Sequence, residues 1–158
     1  MERKVIAVRN KSAMIMNFVF AGIGIVALAV LIWLTTTSDD ASYISLGVFA
    51  CAVALGMALW YGIPAALMLG APEELIVKQG ENFIINGKKV PLTQISEGQL
   101  KEHRKNGGEY SYGDIYVYLK SGSKLICRGV SNPKDSYSAF CAEVTGGYKK
   151  REQAEKNG

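Results

Sequence analysis

The chain has 158 residues and a formal net charge of +4, enough polypeptide for one ordinary domain or for two membrane-spanning helices and a small domain. The charge is mild and comes from both ends of the chain, which argues against nucleic acid as a partner. The three cysteines, Cys51, Cys127 and Cys141, form no CxxC motif. We predict that they are buried thiols in a reducing compartment.

Charge is distributed unevenly along the chain. Residues 13 to 69 contain only Asp39 and Asp40, whereas charged residues occur throughout 73 to 158. The first segment is therefore suited to lipid and the second to water.

Two uncharged stretches predict transmembrane helices over residues 13–34 and 44–69. Residues 14 to 34 form an uncharged run of 21 residues, which as a helix would reach about 32 Å and cross a hydrocarbon core. The polar segment 35–43 is too short for a domain, so the helices should be antiparallel neighbours joined by a turn. We therefore predict a membrane α-helical hairpin.

The charges that flank the hairpin predict its orientation. The N-terminal segment 1–12 is basic, the turn carries Asp39 and Asp40 without Lys or Arg, and basic residues resume after the second helix. The positive-inside rule then places both termini in the cytoplasm. A cleaved signal peptide is the alternative for residues 1–34, but the apolar run exceeds a usual h-region and no A-x-A-like site follows it.

Neither predicted helix contains an Asp, Glu, Lys, Arg or His residue, which argues against a transport role. Small residues instead recur at helical spacing, and such stripes let helix backbones approach closely in lipid. Packing of the hairpin on itself is one interpretation, and homodimerisation is the other. The candidate packing residues are Gly47, Ala50, Cys51, Ala54 and Ala58.

From residue 73 to residue 146, short β-rich segments alternate with turn signals, which predicts a small antiparallel sheet. Asn86-Gly87 lies between two apolar runs and is a strong hairpin signal. In residues 114–120, Tyr116 and Tyr118 alternate with apolar residues, so one face of that strand should be buried. The predicted strands are 75–78, 83–85, 88–92, 94–100, 114–120 and 124–130.

A C-terminal helix is predicted from Pro133 to Thr145, with Asn132 as its N-cap and Gly146-Gly147 at its end. Residues 147–158 are predicted to form a basic tail. One face of the helix is apolar and should cover the sheet. That apolar stripe consists of Tyr137, Phe140, Cys141 and Val144.

Residues 73 to 145 resemble the bacterial pleckstrin-homology (PH) domain that often follows a pair of transmembrane helices. The matching segments are GKKVPLTQI from Gly87 to Ile95, YGDI from Tyr112 to Ile115, and the helix-opening Asn132-Pro133. The resemblance implies an α+β domain, a PH-like antiparallel sheet or barrel capped by a C-terminal helix. It also implies a tethered interaction module at a bacterial inner membrane, without enzyme activity.

Residues 101–105, KEHRK, form the most charged stretch of this domain and should be a loop or an exposed strand end. Their basic side chains could contact anionic lipid or a protein partner. An ordinary solvated loop is the alternative, because Glu102 and Glu109 dilute the charge. The candidate contact residues are Lys101, His103, Arg104 and Lys105.

No catalytic, cofactor or metal site is predicted. His103 is the only histidine, and Ser121 to Lys124 matches an S-x-x-K string only within a predicted turn. We therefore predict a membrane-anchored cytoplasmic interaction or scaffold module that binds a protein partner or self-associates. The alternative is a sensor of anionic lipid headgroups at the inner membrane surface.

Overall fold

The computed structural model describes residues 3–105 and 108–156, with side chains 104–111, 151, 154 and 155 outside the description. The chain forms two compact units. One unit is Lys11–Leu69, and the other combines Met1–Asn10 with Gly70–Gly158. The second unit is thus built from two chain segments, one that precedes the first unit in the sequence and one that follows it.

The first unit is a pair of long helices, α1 (Lys11–Thr36) and α2 (Ala41–Leu69), which include the predicted segments 13–34 and 44–69. Both helices are long and apolar enough to cross a membrane. Asp40 begins α2 by accepting a hydrogen bond from the backbone N–H of Ser42, 2.8 Å away. The predicted helical pair is therefore confirmed as secondary structure.

The second unit contains two antiparallel sheets and a C-terminal helix, an α+β layout. In the first sheet the strand order is β1-β2-β3-β4, and in the second it is β5-β6-β7. A turn of 3-10 helix, Leu92–Gln94, joins the two sheets. The bounds are β1 Arg3–Val8, β2 Glu74–Gln79, β3 Asn82–Ile85, β4 Lys88–Pro91, β5 Ile95–Lys105, β6 Gly108–Leu119, β7 Lys124–Ser131 and α3 Pro133–Lys156.

Strand β1 was not predicted from the sequence. It pairs with β2 in antiparallel register, from Arg3 opposite Gln79 to Val8 opposite Glu74. Its side chains Ile6 and Ala7 are buried in the core of the second unit. The basic N-terminal segment therefore supplies a strand to the sheet, because its short apolar run completes a core that the later strands leave open.

The residues that follow β1 attach it to the second sheet and to the start of β2. The backbone N–H of Asn10 donates to the Gly129 carbonyl at 2.7 Å, and that of Arg9 donates to the Glu73 carbonyl at 2.9 Å. The Arg9 guanidinium also donates to the Ala71 carbonyl at 2.7 Å. The two points where the chain leaves and re-enters this unit are thus held by hydrogen bonds.

The predicted turn at Asn86-Gly87 is confirmed. Asn86 and Gly87 have φ angles of 49° and 77°, as a two-residue hairpin turn between β3 and β4 requires. The Asn86 side-chain amide donates to the Ile126 carbonyl at 2.7 Å, which connects this turn to β7 of the other sheet.

Helix α3 continues past the predicted end at Gly146-Gly147 and reaches Lys156. Gly147 is a packing residue, because a Cβ at that position would overlap the Leu92 side chain. One residue later, the Tyr148 hydroxyl donates to the carbonyls of Leu92 and Ile95, at 3.1 and 2.7 Å. Contact with the sheet therefore extends the helix into the predicted tail.

The apolar stripe of α3 packs on the core, as predicted. Phe140 makes an edge-to-face contact with Phe83, with ring centroids 5.6 Å apart. Gly98 of β5 allows this approach, since a Cβ there would lie 2.9 Å from Phe140 Cε1. The Tyr137 hydroxyl donates to the Gly98 carbonyl at 2.8 Å.

Glu143 joins α3 to both β1 and β2. One of its carboxylate oxygens accepts from Lys4 at 2.6 Å and the other accepts from Lys78 at 2.5 Å. The hydrogen bonds from Lys4 and Lys78 lower the pKa of Glu143 to about 2. The ionised carboxylate therefore stabilises the folded unit.

Replacing Glu143 with glutamine is expected to cost about 2 kcal/mol of unfolding free energy at neutral pH, a typical value for hydrogen bonds to a charged group. Because the folded pKa is depressed, the stabilisation is present above pH 4.5 and is lost as the pH falls towards 2. The denaturation midpoints of wild type and Glu143→Gln, measured on the full chain by its resistance to protease, should differ at pH 7. They should converge as the pH is lowered. Glu152→Gln, on the exposed end of α3, is the control. A constant gap across the pH range would contradict this account.

Candidate functional site

The outer face of the second sheet brings together polar and aromatic side chains from all three of its strands. Gln99 of β5 lies opposite Tyr116 of β6, which lies opposite Ile126 of β7. Directly opposite residues share a face, and so do residues two apart along a strand. We call this surface the tyrosine face: Glu97, Gln99, Lys101, His103, Tyr112, Asp114, Tyr116, Tyr118, Lys124, Ile126 and Arg128.

The opposite face of the same strands is the core. Ile115, Val117 and Cys127 are fully buried, so the predicted alternation in β6 is confirmed. Burial, with a smaller effect from the Asp114 charge, raises the pKa of the Cys127 thiol to about 12. Cys127 is therefore a neutral buried thiol, as predicted, whereas Cys51 and Cys141 are only partly buried.

The aromatic rings of the tyrosine face contact neighbouring polar side chains. The Tyr118 hydroxyl donates to the Gln99 side-chain oxygen at 3.0 Å. The Lys124 ammonium lies 6.0 Å from the centroid of the Tyr116 ring, at the outer limit of a cation–π contact. Both rings are half-buried and extend across the sheet rather than into the core.

His103 and Asp114 form a polar pair at one end of the tyrosine face. The His103 ring stacks on Tyr112 with centroids 5.2 Å apart, and its Nε2 lies 3.3 Å from Asp114 Oδ2. The other Asp114 oxygen accepts from the Gly129 backbone N–H at 3.0 Å. The Asp114 side chain is only 12% exposed, and both of its carboxylate oxygens have partners within the protein. The carboxylate therefore offers little negative charge to solvent.

Two of the predicted contact residues lie on the tyrosine face. Lys101 is exposed, and His103 makes the pair just described. The stretch belongs to β5, so of the two predicted forms it is a strand end. The side chains of Arg104 and Lys105 lie outside the described residues.

Nine of the eleven residues of this face were not predicted from the sequence, among them Tyr116, Tyr118, Lys124 and Arg128. The signal was present in the alternation of β6, which separates the tyrosines from the buried residues between them. The register then aligns Lys124 with Tyr118 and Ile126 with Tyr116. Only the pairing of β6 with β7 shows that these side chains share one surface.

Of the predicted packing residues of α2, Gly47 and Ala58 lie at the contact with α1. A Cβ on Gly24 would lie 3.0 Å from the Ala58 nitrogen, so the helix backbones approach closely there. Gly47 similarly faces the Thr35 side chain. Ala54 is buried, and Ala50 and Cys51 are partly buried.

Ala50 and Ala54 also line an open apolar groove of about 360 Å³ on the hairpin, together with Gly24 and Ala27 of α1. These helices therefore pack on each other through small residues and leave a shallow apolar surface beside that contact.

The chemistry available on the tyrosine face is that of binding. Tyrosine rings offer large, rigid contact areas with polar tips, and lysine and arginine offer charge-assisted hydrogen bonds. Within residues 3–105 and 108–156, no group of three or more His, Cys, Asp or Glu side chains is placed to hold a metal ion.

Comparison with known proteins finds no family model that matches the chain, and no curated protein or solved structure that is significantly similar to it.

Proposed function

We propose that the protein is a membrane-anchored interaction module without enzyme activity. In this proposal α1 and α2 span a bacterial inner membrane, and the sheet unit binds a protein partner, or a second copy of the chain, at the cytoplasmic surface. The observation that carries the proposal is the tyrosine face, an ordered surface of half-buried rings and exposed cations.

The exposure of the helices supports membrane anchoring. In the most apolar 18 residues of each helix, only 17% of residues in α1 and 11% in α2 are buried. A core helix of a soluble protein would have most of its apolar residues buried. Lipid is the solvent in which this much exposed apolar surface is stable.

The pairing of β1 with β2 supports an even number of membrane crossings. β1 precedes the hairpin, β2 follows it, and the two strands are hydrogen-bonded neighbours. Both ends of the hairpin must then reach the same aqueous compartment. The basic residues near the start of the chain favour the cytoplasm.

The order of elements supports a PH-like fold for the sheet unit. Consecutive antiparallel strands are followed by one C-terminal helix that covers the core, which is the arrangement that the sequence resemblance implies. A PH-like domain at a membrane surface is suited to holding a partner there.

A photo-crosslinkable residue tests the proposed partner contact. Placing this residue at Gln99, an exposed and uncharged position of the tyrosine face, is expected to give a crosslinked adduct in intact membranes. Replacing Gln153, on the exposed end of α3, is the control and should give none. Alkaline carbonate should leave both variants in the membrane. Monomer alone from Gln99, or release by carbonate, would contradict the proposal.

A sensor of anionic headgroups is the second candidate. It is favoured by the hydrogen bond between Asn10 and Gly129, because Asn10 directly precedes α1 and Gly129 follows Arg128. Arg128, and Lys101 opposite Asp114, would then lie at the end of the sheet unit from which the chain continues into the hairpin. Each basic residue near an anionic surface would add about 1 kcal/mol.

A further inference from the structure

We infer that the tyrosine face binds an acidic polypeptide segment, with Tyr116 and Tyr118 as apolar anchors and Lys101, Lys124 and Arg128 as partners for its carboxylates. This inference rests on the proposed function and specifies the chemistry of the partner. The segment would lie across the strands of the second sheet.

Residues that lie opposite each other on β5, β6 and β7 form rows across the tyrosine face, and the order of these rows resembles that of a protein-binding surface. The middle row, Gln99, Tyr116 and Ile126, carries no charge. Charged residues lie on both sides of it, with Lys124 at one end and Lys101 at the other. Protein interfaces have the same arrangement, with an uncharged centre enriched in tyrosine and a polar rim.

The accessible charge on this face is mainly positive. Lys101 and Lys124 are exposed and Arg128 is half-buried, whereas Glu97 is an exposed acidic residue. The other acidic residue, Asp114, already has a partner for each oxygen. Among the described side chains of this face, cations therefore dominate what a partner would meet, and a complementary partner is acidic.

The middle row favours a polypeptide over lipid headgroups. A headgroup layer offers charge to Lys101 and Arg128, but it offers no defined apolar group for the Tyr116 ring to pack on. An acidic polypeptide supplies both, because each glutamate side chain carries methylene groups that can pack on a ring as well as a carboxylate for a cation. The hydrogen bond from the Tyr118 hydroxyl to Gln99 holds the Tyr118 ring in place before binding. This contact lowers the entropy cost of ordering the Tyr118 ring when a partner binds.

The test uses the full chain in nanodiscs of phosphatidylcholine, with fluorescein-labelled poly-L-glutamate as the probe and poly-L-lysine as its counterpart. Saturable binding of poly-L-glutamate alone is expected, and it should weaken with salt. The double variant Tyr116→Thr and Tyr118→Thr should bind about tenfold more weakly, the effect of losing interface anchors. Threonine is used because it suits a strand.

The control variant is Lys149→Glu with Lys150→Glu, which removes two exposed cations from α3 and should leave binding unchanged. Equal weakening by this control, or no binding at all, would overturn the inference. If the threonine variant loses its protease resistance, the double variant Lys101→Glu and Lys124→Glu takes its place. This variant should also bind poly-L-glutamate about tenfold more weakly, and unchanged binding would overturn the inference.

Protein-free vesicles of phosphatidylglycerol test the other class of partner. Tyrosine-dependent binding to these vesicles, without binding to poly-L-glutamate, would assign the face to lipid and overturn the inference. A chain that crosslinks from Gln99 but ignores poly-L-glutamate would keep the proposed function and lose only this inference.

Discussion

Replacing Ala7 with aspartate is expected to unfold the sheet unit. Ala7 is 1% exposed, lies in the core and stands opposite Ile76 of β2. An unpaired carboxylate at such a position costs several kcal/mol, which is comparable to the total stability of about 5–15 kcal/mol of a small domain. β1 would then leave the sheet, water would reach the core that Ile6 and Ala7 complete, and the unit would unfold.

Hydrogen exchange of the full chain in nanodiscs measures this effect. In Ala7→Asp, the backbone amides of β2, β3 and β7 should lose their protection. The matched control is Val5→Asp in the same strand, because Val5 is 42% exposed and a carboxylate there remains in water. Unchanged protection in Ala7→Asp would show that β1 does not belong to the sheet.

Replacing Gly24 with leucine is expected to separate α1 from α2. A Cβ at Gly24 would already lie 3.0 Å from the nitrogen and 3.1 Å from the Cα of Ala58, and neither backbone atom can move by rotation of a side chain. The rest of a leucine side chain cannot fit between the helices. Overpacking of this kind typically costs about 1–3 kcal/mol, and more where backbone must move.

An engineered disulfide reports the helix separation. A Cβ on Gly62 would lie 3.7 Å from the Ala21 Cβ, close to the ideal separation for a disulfide. The pair Ala21→Cys and Gly62→Cys should therefore oxidise readily, and much less when Gly24→Leu is added.

Gly22→Leu is the control for this experiment, because nothing lies within 4 Å of a Cβ at Gly22. The control should leave oxidation of the cysteine pair unchanged. Equal oxidation in the Gly24 and Gly22 variants would contradict the close packing of α1 on α2.

Local signals in the sequence predicted the elements that depend on local physics. Asn86-Gly87 predicted the β3–β4 turn because its positive φ angles are tolerated by few residues. The alternation around Tyr116 and Tyr118 predicted which face of β6 is buried. The length and uniform apolar character of α1 and α2 predicted two helices.

Strand β1 could not be predicted because its partner lies far along the chain. Val5 to Val8 is too short to distinguish a strand from the flank of a helix, and the surrounding Arg and Lys residues resemble ordinary orientation signals. In the structure, Arg3 pairs with Glu74 and Lys4 with Glu143. These basic residues therefore stabilise the fold, a role that no local pattern reveals.

The predicted end of α3 was wrong for a related reason. Gly146-Gly147 is a good local stop signal, but tertiary contact decides the outcome, since Leu92 packs where a Gly147 side chain would be. The hydrogen bonds from Tyr148 then hold the next turn against the sheet.

The candidate site was only partly predictable. Charge density identified Lys101 and His103, which are adjacent in sequence to other charged residues. It could not identify Lys124, because the place of this residue beside Tyr118 depends on the register between β6 and β7. Nor could it identify Arg128, which lies where that register shifts, between the Ile115–Cys127 and Gly113–Val130 pairs. Contacts across strands are the part of a binding surface that one sequence conceals.

Strand β1 leaves the ribosome before either long helix, yet its partner β2 is synthesised after both. In the proposed membrane arrangement, a nascent chain that has inserted only one helix has these strands in different compartments. Leu75 and Ile76 would then remain exposed on an unfinished sheet, open to proteases. In this arrangement β1 could pair with β2 only after both helices have been inserted. Formation of the first sheet would therefore depend on complete membrane insertion.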